Sequence, residues 1–337
     1  MKKEEKGLSI RDISRLSGVS IATVSRVINR NGRFSKDTEK RVLDIIEQYH
    51  YVPNMTARRL RTKEQNFIAI IIPDITNEFF ARISQLLQEL LLQKGYLALL
   101  CNTAENMDVQ RQYLEMLGIV NLAGIIFVSG DAETSHLCGL MELPTIYIDR
   151  APQGASLENA LVVESDNYGG AAMAVREMVE KGCRRIAFLR SAQVITTHSF
   201  RQSGYLDELS RLGMKADPQL ILQVNQVSFE DAKKRVNQLI AQKIEFDGIF
   251  CATDYLAVGA MEALKENGIR VPEQVKVVGF DDLSIARLAA QPITTIHQDI
   301  EAISQTAAEE MVRIIQGKEN STRRFQIGVS LIRRKTT

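Results

Sequence analysis

Cysteine is scarce, and its placement excludes more than its number. Cys101, Cys138, Cys183 and Cys251 are far apart, none stands in C-x-x-C spacing, and each lies in or near an apolar run. That pattern fits buried reduced thiols and not a disulfide framework or a metal site. The four histidines, His50, His136, His198 and His297, also lack the spacing of metal ligands. No apolar run approaches the roughly 20 residues a membrane helix needs. The charged start, Met1-Lys2-Lys3-Glu4-Glu5-Lys6, leads into an amphipathic stretch instead of an apolar one. A cytoplasmic, soluble protein without a secretory leader is expected. The phosphate-binding G-x-x-x-x-G-K-[ST], the dinucleotide G-x-G-x-x-G and the nucleophile elbow G-x-S-x-G are all missing. His198-Ser199 and Asp281-Asp282 read as pocket lining, caps or turns. Neither an enzyme nor a cofactor is expected.

The net charge of +1 hides an asymmetry. Residues 1–63 hold 15 Lys and Arg against 7 Asp and Glu, whereas the remainder holds 27 against 34. A basic module is therefore tethered to an acidic body. Phosphate backbones attract the first through counterion release and repel the second. With 337 residues, two or three domains are expected.

Ser9 with Asp12 three residues later reads as a capping box opening a helix on which Ile10, Ile13 and Leu16 recur at helical spacing. Gly18 marks a sharp turn. Ser20 then caps a second helix near Thr23, with Val24, Val27 and Ile28 on one face and Ile21, Ala22, Ser25 and Arg26 elsewhere. Ser35 opens a third, with Val42, Leu43, Ile45, Ile46 and Tyr49 in register. Two short helices around a glycine turn make a helix-turn-helix, whose second helix offers its first side chains to the DNA major groove. An αα-hairpin inside an unrelated core is the bland alternative.

Asp12–Ser20, Thr23–Asn29, Tyr51-Val52-Pro53-Asn54 and Ala57-Arg58-Arg59-Leu60 together resemble the headpiece of the LacI family of bacterial transcription regulators, without a gap over roughly fifty residues. The resemblance implies a headpiece over 1–61 with a hinge helix at 54–61. A linker follows at 62–66, and an effector-binding and dimerisation domain at 67–337. Arg26 is the candidate for a guanine edge, and Ile21 and Ala22 for neighbouring bases through shape and methyl contacts. Ser20, the cap of the second helix, is placed in the DNA-binding set, and Thr23, Ser25, Asn29 and Ser35 are the candidates to hold phosphates. A hinge of about two turns is marginal alone and is expected to fold on operator DNA, with Ala57 and Leu60 at the minor groove and Leu60 as the wedge.

From Phe67 onward, short apolar runs alternate with amphipathic helices. Strands are expected at 68–72, 97–101, 124–128, 145–148, 161–163, 185–189, 248–251, 275–279 and 293–297, in parallel sheets covered on both faces. The fold class is α/β: an all-α helix-turn-helix headpiece plus two doubly wound subdomains. By resemblance these are like periplasmic binding proteins, with three crossings of the chain near 163–166, 291–297 and 321–326. The subdomains then take 67–163 with 295–322, and 164–292 with 323–337. After Ile332 no heptad repeat remains to build a tetramer, so a homodimer is expected.

Ligands of open parallel sheets bind at the carboxyl ends of strands. Carboxylates, a guanidinium, amides and aromatic rings cluster after these runs, a set suited to vicinal hydroxyls and the C–H face of a sugar. Asn77, Phe79, Phe80, Asp149, Arg150, Arg201, Phe229, Asp281 and Gln298 resemble the pocket of ribose-type binding proteins and repressors. Thr253 stands where that pattern carries an amide. The resemblance implies a repressor that binds pseudo-palindromic double-stranded operator DNA under control of a small sugar, ribose or a related pentose. A catabolite-control-type regulator answering to a phosphorylated carrier protein is one alternative. A sugar-transport binding protein is another, but it would have no use for residues 8–61.

Overall fold

A computed structural model describes residues 8–28, 31–49, 51, 66–128, 143–150, 160–193, 195–318 and 321–337. The chain divides into a unit over Met1–Gln65 and a unit over Asn66–Thr337. Asn29, Ala57, Leu60 and the expected hinge helix lie outside the described residues, as do Cys138, His50 and His136.

The first unit contains α1 (Ile10–Ser17), α2 (Ile21–Ile28) and α3 (Lys36–Gln48). The Ser9 side chain accepts from Asp12 N while Asp12 reaches back to Ser9 N, so the capping box is formed. Gly18 ends α1 at φ 68°, a left-handed turn that costs glycine least, and Ser20 Oγ accepts from Thr23 N at 3.2 Å to start α2. Ile13, Val24, Val27 and Val42 form the buried centre. Leu16, Leu43 and Tyr49 do not join it: each is more than 40% exposed. Leu43 is one residue, about 100° around the helix, from the buried Val42. Tyr49 is the C-cap of α3, where the apolar stripe runs out.

The second unit holds two six-stranded sheets. The first is built from β1 (Phe67–Ile72), β2 (Leu97–Asn102), β3 (Leu122–Phe127), β4 (Thr145–Ile148) and β5 (Ala160–Ser165), with α4 (Glu78–Gln93) and α5 (Met107–Leu117) between strands. Alternate residues of β1 serve opposite faces. Ile68, Ile70 and Ile72 pack with Ile83 and Leu87 of α4, while Ala69 and Ile71 pack with Phe127 and Tyr147. The near-continuous burial of β1, β3, β4 and β5 is that of a parallel sheet covered on both sides.

The second sheet runs through α6 (Asn167–Glu180), β6 (Ile186–Ser191), α7 (Thr196–Arg211), β7 (Ile221–Val224), α8 (Phe229–Ala241), β8 (Gly248–Cys251), α9 (Asp254–Glu266), β9 (Lys276–Asp281), α10 (Ser284–Leu288) and β10 (Thr294–Gln298). Then come α11 (Ile300–Ile315), β11 (Arg324–Ile327) and β12 (Val329–Ile332). The strand orders are β11-β5-β4-β3-β1-β2 and β12-β10-β9-β8-β6-β7.

Two expectations change here. Residues 295–298 belong to the second sheet, because β10 pairs parallel with β9, and 324–327 belong to the first, because β11 pairs parallel with β5. The chain therefore crosses at 165–167, 298–300 and 327–329, so the last two crossings fall later than the positions expected by resemblance, 291–297 and 321–326. β7 was not foreseen: it is a four-residue edge strand with alternating burial. Cys101, Cys183 and Cys251 are free and buried, as expected. Among the described residues no helix is long and apolar enough to cross a membrane.

Candidate functional site

On α2 the outward residues are those the sequence singled out. Ser20, Ile21, Ala22 and Arg26 are exposed, Thr23 and Ser25 half-buried, and Ser35 is exposed where it caps α3 by accepting from Thr38 N. Val24 and Val27 anchor the opposite side. A short helix held by two valines with a guanidinium and small side chains outward is the recognition geometry of a helix-turn-helix.

In the second unit a cavity of about 430 Å³ opens where strands of both sheets end. Asn77, Phe79, Phe80, Asp149, Arg150, Arg201, Thr253, Asp281 and Gln298 all line it. Phe229 does not. It is the first residue of α8, half-buried, and Val227 and Ser228 reach the cavity instead. The sequence reading missed Ser191, Ile195 and Thr197, whose small or aliphatic side chains carry no signal of their own. His198, read as pocket lining, is that.

Asn77 caps α4 by accepting from Phe79 N at 3.0 Å, which sets Phe79 and Phe80 on the first turn with their rings edge to face, centroids 5.5 Å apart. The Arg150 guanidinium lies 5.9 Å from the Phe80 centroid. Asp149 adopts φ 66°, an uncommon conformation that turns its carboxylate from the strand end toward the cavity.

Arg201 is the hub. Its Nε donates to Asn167 Oδ1 at 2.8 Å, its Nη1 donates to the carbonyl of Ala252, and Asp281 Oδ1 is 3.5 Å away. The guanidinium also sits 3.6 Å over the Phe280 ring. Burial presses its pKa below the ordinary guanidinium value, against the pull of Asp281 and Asp149. Gln298 Nε2 donates to Asp281 Oδ1 at 2.7 Å. Burial raises Asp281 to about 7 although Arg201 opposes the rise, and burial likewise raises Asp149. His198 accepts from Ser191 N through Nδ1, and burial among Arg201, Arg150 and Arg190 holds the imidazole neutral. Its proton is then on Nε2.

Asp254 supports this cluster from behind. Its carboxylate accepts from Thr295 Oγ1 at 2.6 Å and from Leu283 N at 2.8 Å, fixing the turn that follows Asp281. Gly279 makes room for it, since a Cβ there would collide with Asp254 Oδ1. Leu283 then inserts among the core residues of the first sheet's α4 side, and Ser284 donates from N and Oγ to Glu78 at 3.0 and 2.7 Å. The turn that carries Asp281 is thereby keyed into both halves of the unit.

Two buried acceptors on this wall, Asp149 Oδ1 and Gln298 Oε1, have no hydrogen-bond partner among the described residues. Acceptors left bare in a cleft are matched by a ligand that brings donors. Among the described residues no group of His, Cys, Asp and Glu could hold a metal ion.

A helix-turn-helix unit and a two-sheet unit with a polar cleft define a ligand-responsive transcription regulator. Residues 9–54 match the family model for bacterial regulatory proteins of the lacI family, and residues 175–337 match the periplasmic binding protein-like domain. The ribose operon repressor of Halalkalibacterium halodurans is 31% identical over 98% of this chain and 97% of its own. The fold is that of a lac repressor dimer bound to operator and an anti-inducer, with TM-score 0.85, 23% identity, and 98% and 99% of the two chains covered. A periplasmic binding protein/LacI transcriptional regulator from Alkaliphilus metalliredigens, complexed with D-xylulofuranose, is 30% identical with TM-score 0.71, over 81% of this chain and 99% of that one. The chain belongs to the lacI family of bacterial regulatory proteins, and so is a DNA-binding regulator of transcription.

Proposed function

We propose that this protein is a cytoplasmic, homodimeric repressor whose hold on a pseudo-palindromic operator is set by a small sugar in the cleft, which it binds without converting. The observation that carries the reading is the pairing of two bare buried acceptors, Asp149 Oδ1 and Gln298 Oε1, with the aromatic first turn of α4. Sugar hydroxyls supply the donors, and an apolar C–H face lies on Phe79 or Phe80. The nine cleft residues named from sequence, without Phe229, are the contacts assigned to this ligand. Support also comes from the D-xylulofuranose-bound relative and from the ribose operon repressor.

Sugar that favours one arrangement of the two halves shifts the population between DNA-competent and incompetent states. Arg26 reads a guanine edge. Ile21 and Ala22 read its neighbours, while Ser20, Thr23, Ser25, Asn29 and Ser35 hold the helix on the backbone. Ala57 and the Leu60 wedge work at the minor groove. The test is operator affinity of the full-length protein, on DNA recovered by random-sequence selection, with and without millimolar sugars. A several-fold change with a subset of sugars, lost in Asp281→Ala, is expected. Operator affinity indifferent to every sugar overturns the reading.

A further inference from the structure

The cleft is larger than one sugar ring requires. A pentose or hexose displaces on the order of 150 Å³, about five waters at about 30 Å³ each, against the 430 Å³ of the cavity. Exposure divides the lining into two zones. Asp149, Arg201, Asp281, Gln298 and the two phenylalanines are buried, whereas Glu105, Gln193, Asn225 and Gln226 are exposed at the mouth. The mouth draws on both halves. Glu105 follows β2 in the first, at φ 55° next to Ala104 at φ 51°, and Asn225 and Gln226 follow β7 in the second.

The chemistry of the two zones differs. The inner zone has the Arg201 guanidinium and both aromatic rings, with the half-buried Arg150 at its edge, 5.9 Å from the Phe80 ring centroid. The exposed mouth has the Glu105 carboxylate and the amides of Gln193, Asn225 and Gln226, and neither a cation nor an aromatic ring among its exposed described residues. A phosphate is repelled there. A nucleobase finds no ring to stack on. Acceptor-rich side chains converging from two sides suit hydroxyls.

We propose that the effector is a neutral glycoside of two units, one sugar ring in the buried zone and a second, hydroxyl-bearing unit held at the mouth by Glu105, Asn225 and Gln226. This rests on the sugar reading above and narrows it.

Titration calorimetry on the full-length protein tests it with xylose, glucose and galactose, with xylobiose, cellobiose and lactose, and with the monosaccharide phosphates. At least one disaccharide is expected to bind ten-fold or more tighter than its component sugar. The double variant Glu105→Ala, Asn225→Ala is expected to bring the disaccharide to within about three-fold of the monosaccharide, whose own affinity does not change. A monosaccharide that binds as tightly as every disaccharide, or mouth substitutions that weaken both alike or neither, overturns the second subsite and leaves the sugar reading intact. Preference for a sugar phosphate overturns the neutral glycoside. Binding of no sugar at all removes the underlying reading and this one with it.

Discussion

Asp281→Asn should stabilise this protein as the pH rises while abolishing its response to sugar. Burial lifts the Asp281 carboxyl from an ordinary value near 3.8 to about 7. Between those values the folded protein holds a proton that the unfolded chain has released. Stability therefore falls as pH climbs through that window and levels off above it, where both states are ionised. A rise of that size corresponds to about 4 kcal/mol of destabilisation at neutral pH and above. An amide of the same shape carries no such penalty and still accepts from Gln298 Nε2.

For a unit of this size about 1 kcal/mol moves Tm by about 2–4 °C, so the gap between variant and wild type should open by on the order of 10 °C between about pH 4 and about pH 7.5. Calorimetric scans of both proteins across that range, without sugar, read it directly. A gap that stays constant to about 1 °C across the range would show that Asp281 is not the group releasing the proton. Sugar titrations of the same samples give the second readout, since the carboxylate is the acceptor that a ligand hydroxyl needs.

Arg201→Met removes the donor shared by Asn167, Ala252 and Asp281 in a fully buried setting. Unfolding in urea at pH 8 should show a loss of about 3–5 kcal/mol, and a loss under about 1 kcal/mol refutes the hub role. Arg26→Ala should cost about 1–3 kcal/mol of discrimination at a single guanine of the selected operator, with other positions read as before. Binding to base-substituted duplexes measures this, and unchanged preference at every guanine refutes the assignment.

The sequence alone determined local structure. Caps, turns and the apolar runs were legible because each rests on a few adjacent residues: Ser9 with Asp12, Gly18 before Ser20, the isoleucines of β1. Most of the cleft was legible too, because strand ends in a parallel sheet all face one edge, so the residue after each apolar run is a candidate wherever its strand lies.

Tertiary structure decided what depends on which strand pairs with which. β10 continues the second sheet because Thr294–His297 find their partners on β9, and nothing in the apolar pattern of 293–297 distinguishes the two sheets. β7 was hidden because an edge strand needs only two inward residues, Leu222 and Val224. Phe229 matched a sequence pattern yet does not line the cavity, since which residues of a helix start reach a cleft is set by how that helix docks. The support that Asp254 gives to the Asp281 turn, through Leu283, spans 29 residues of chain, and a hydrogen bond from a backbone N–H leaves no trace in the identity of Leu283. Side-chain identity is local and can be read along the chain, whereas register, burial and the partner of a polar atom are fixed only when distant segments meet.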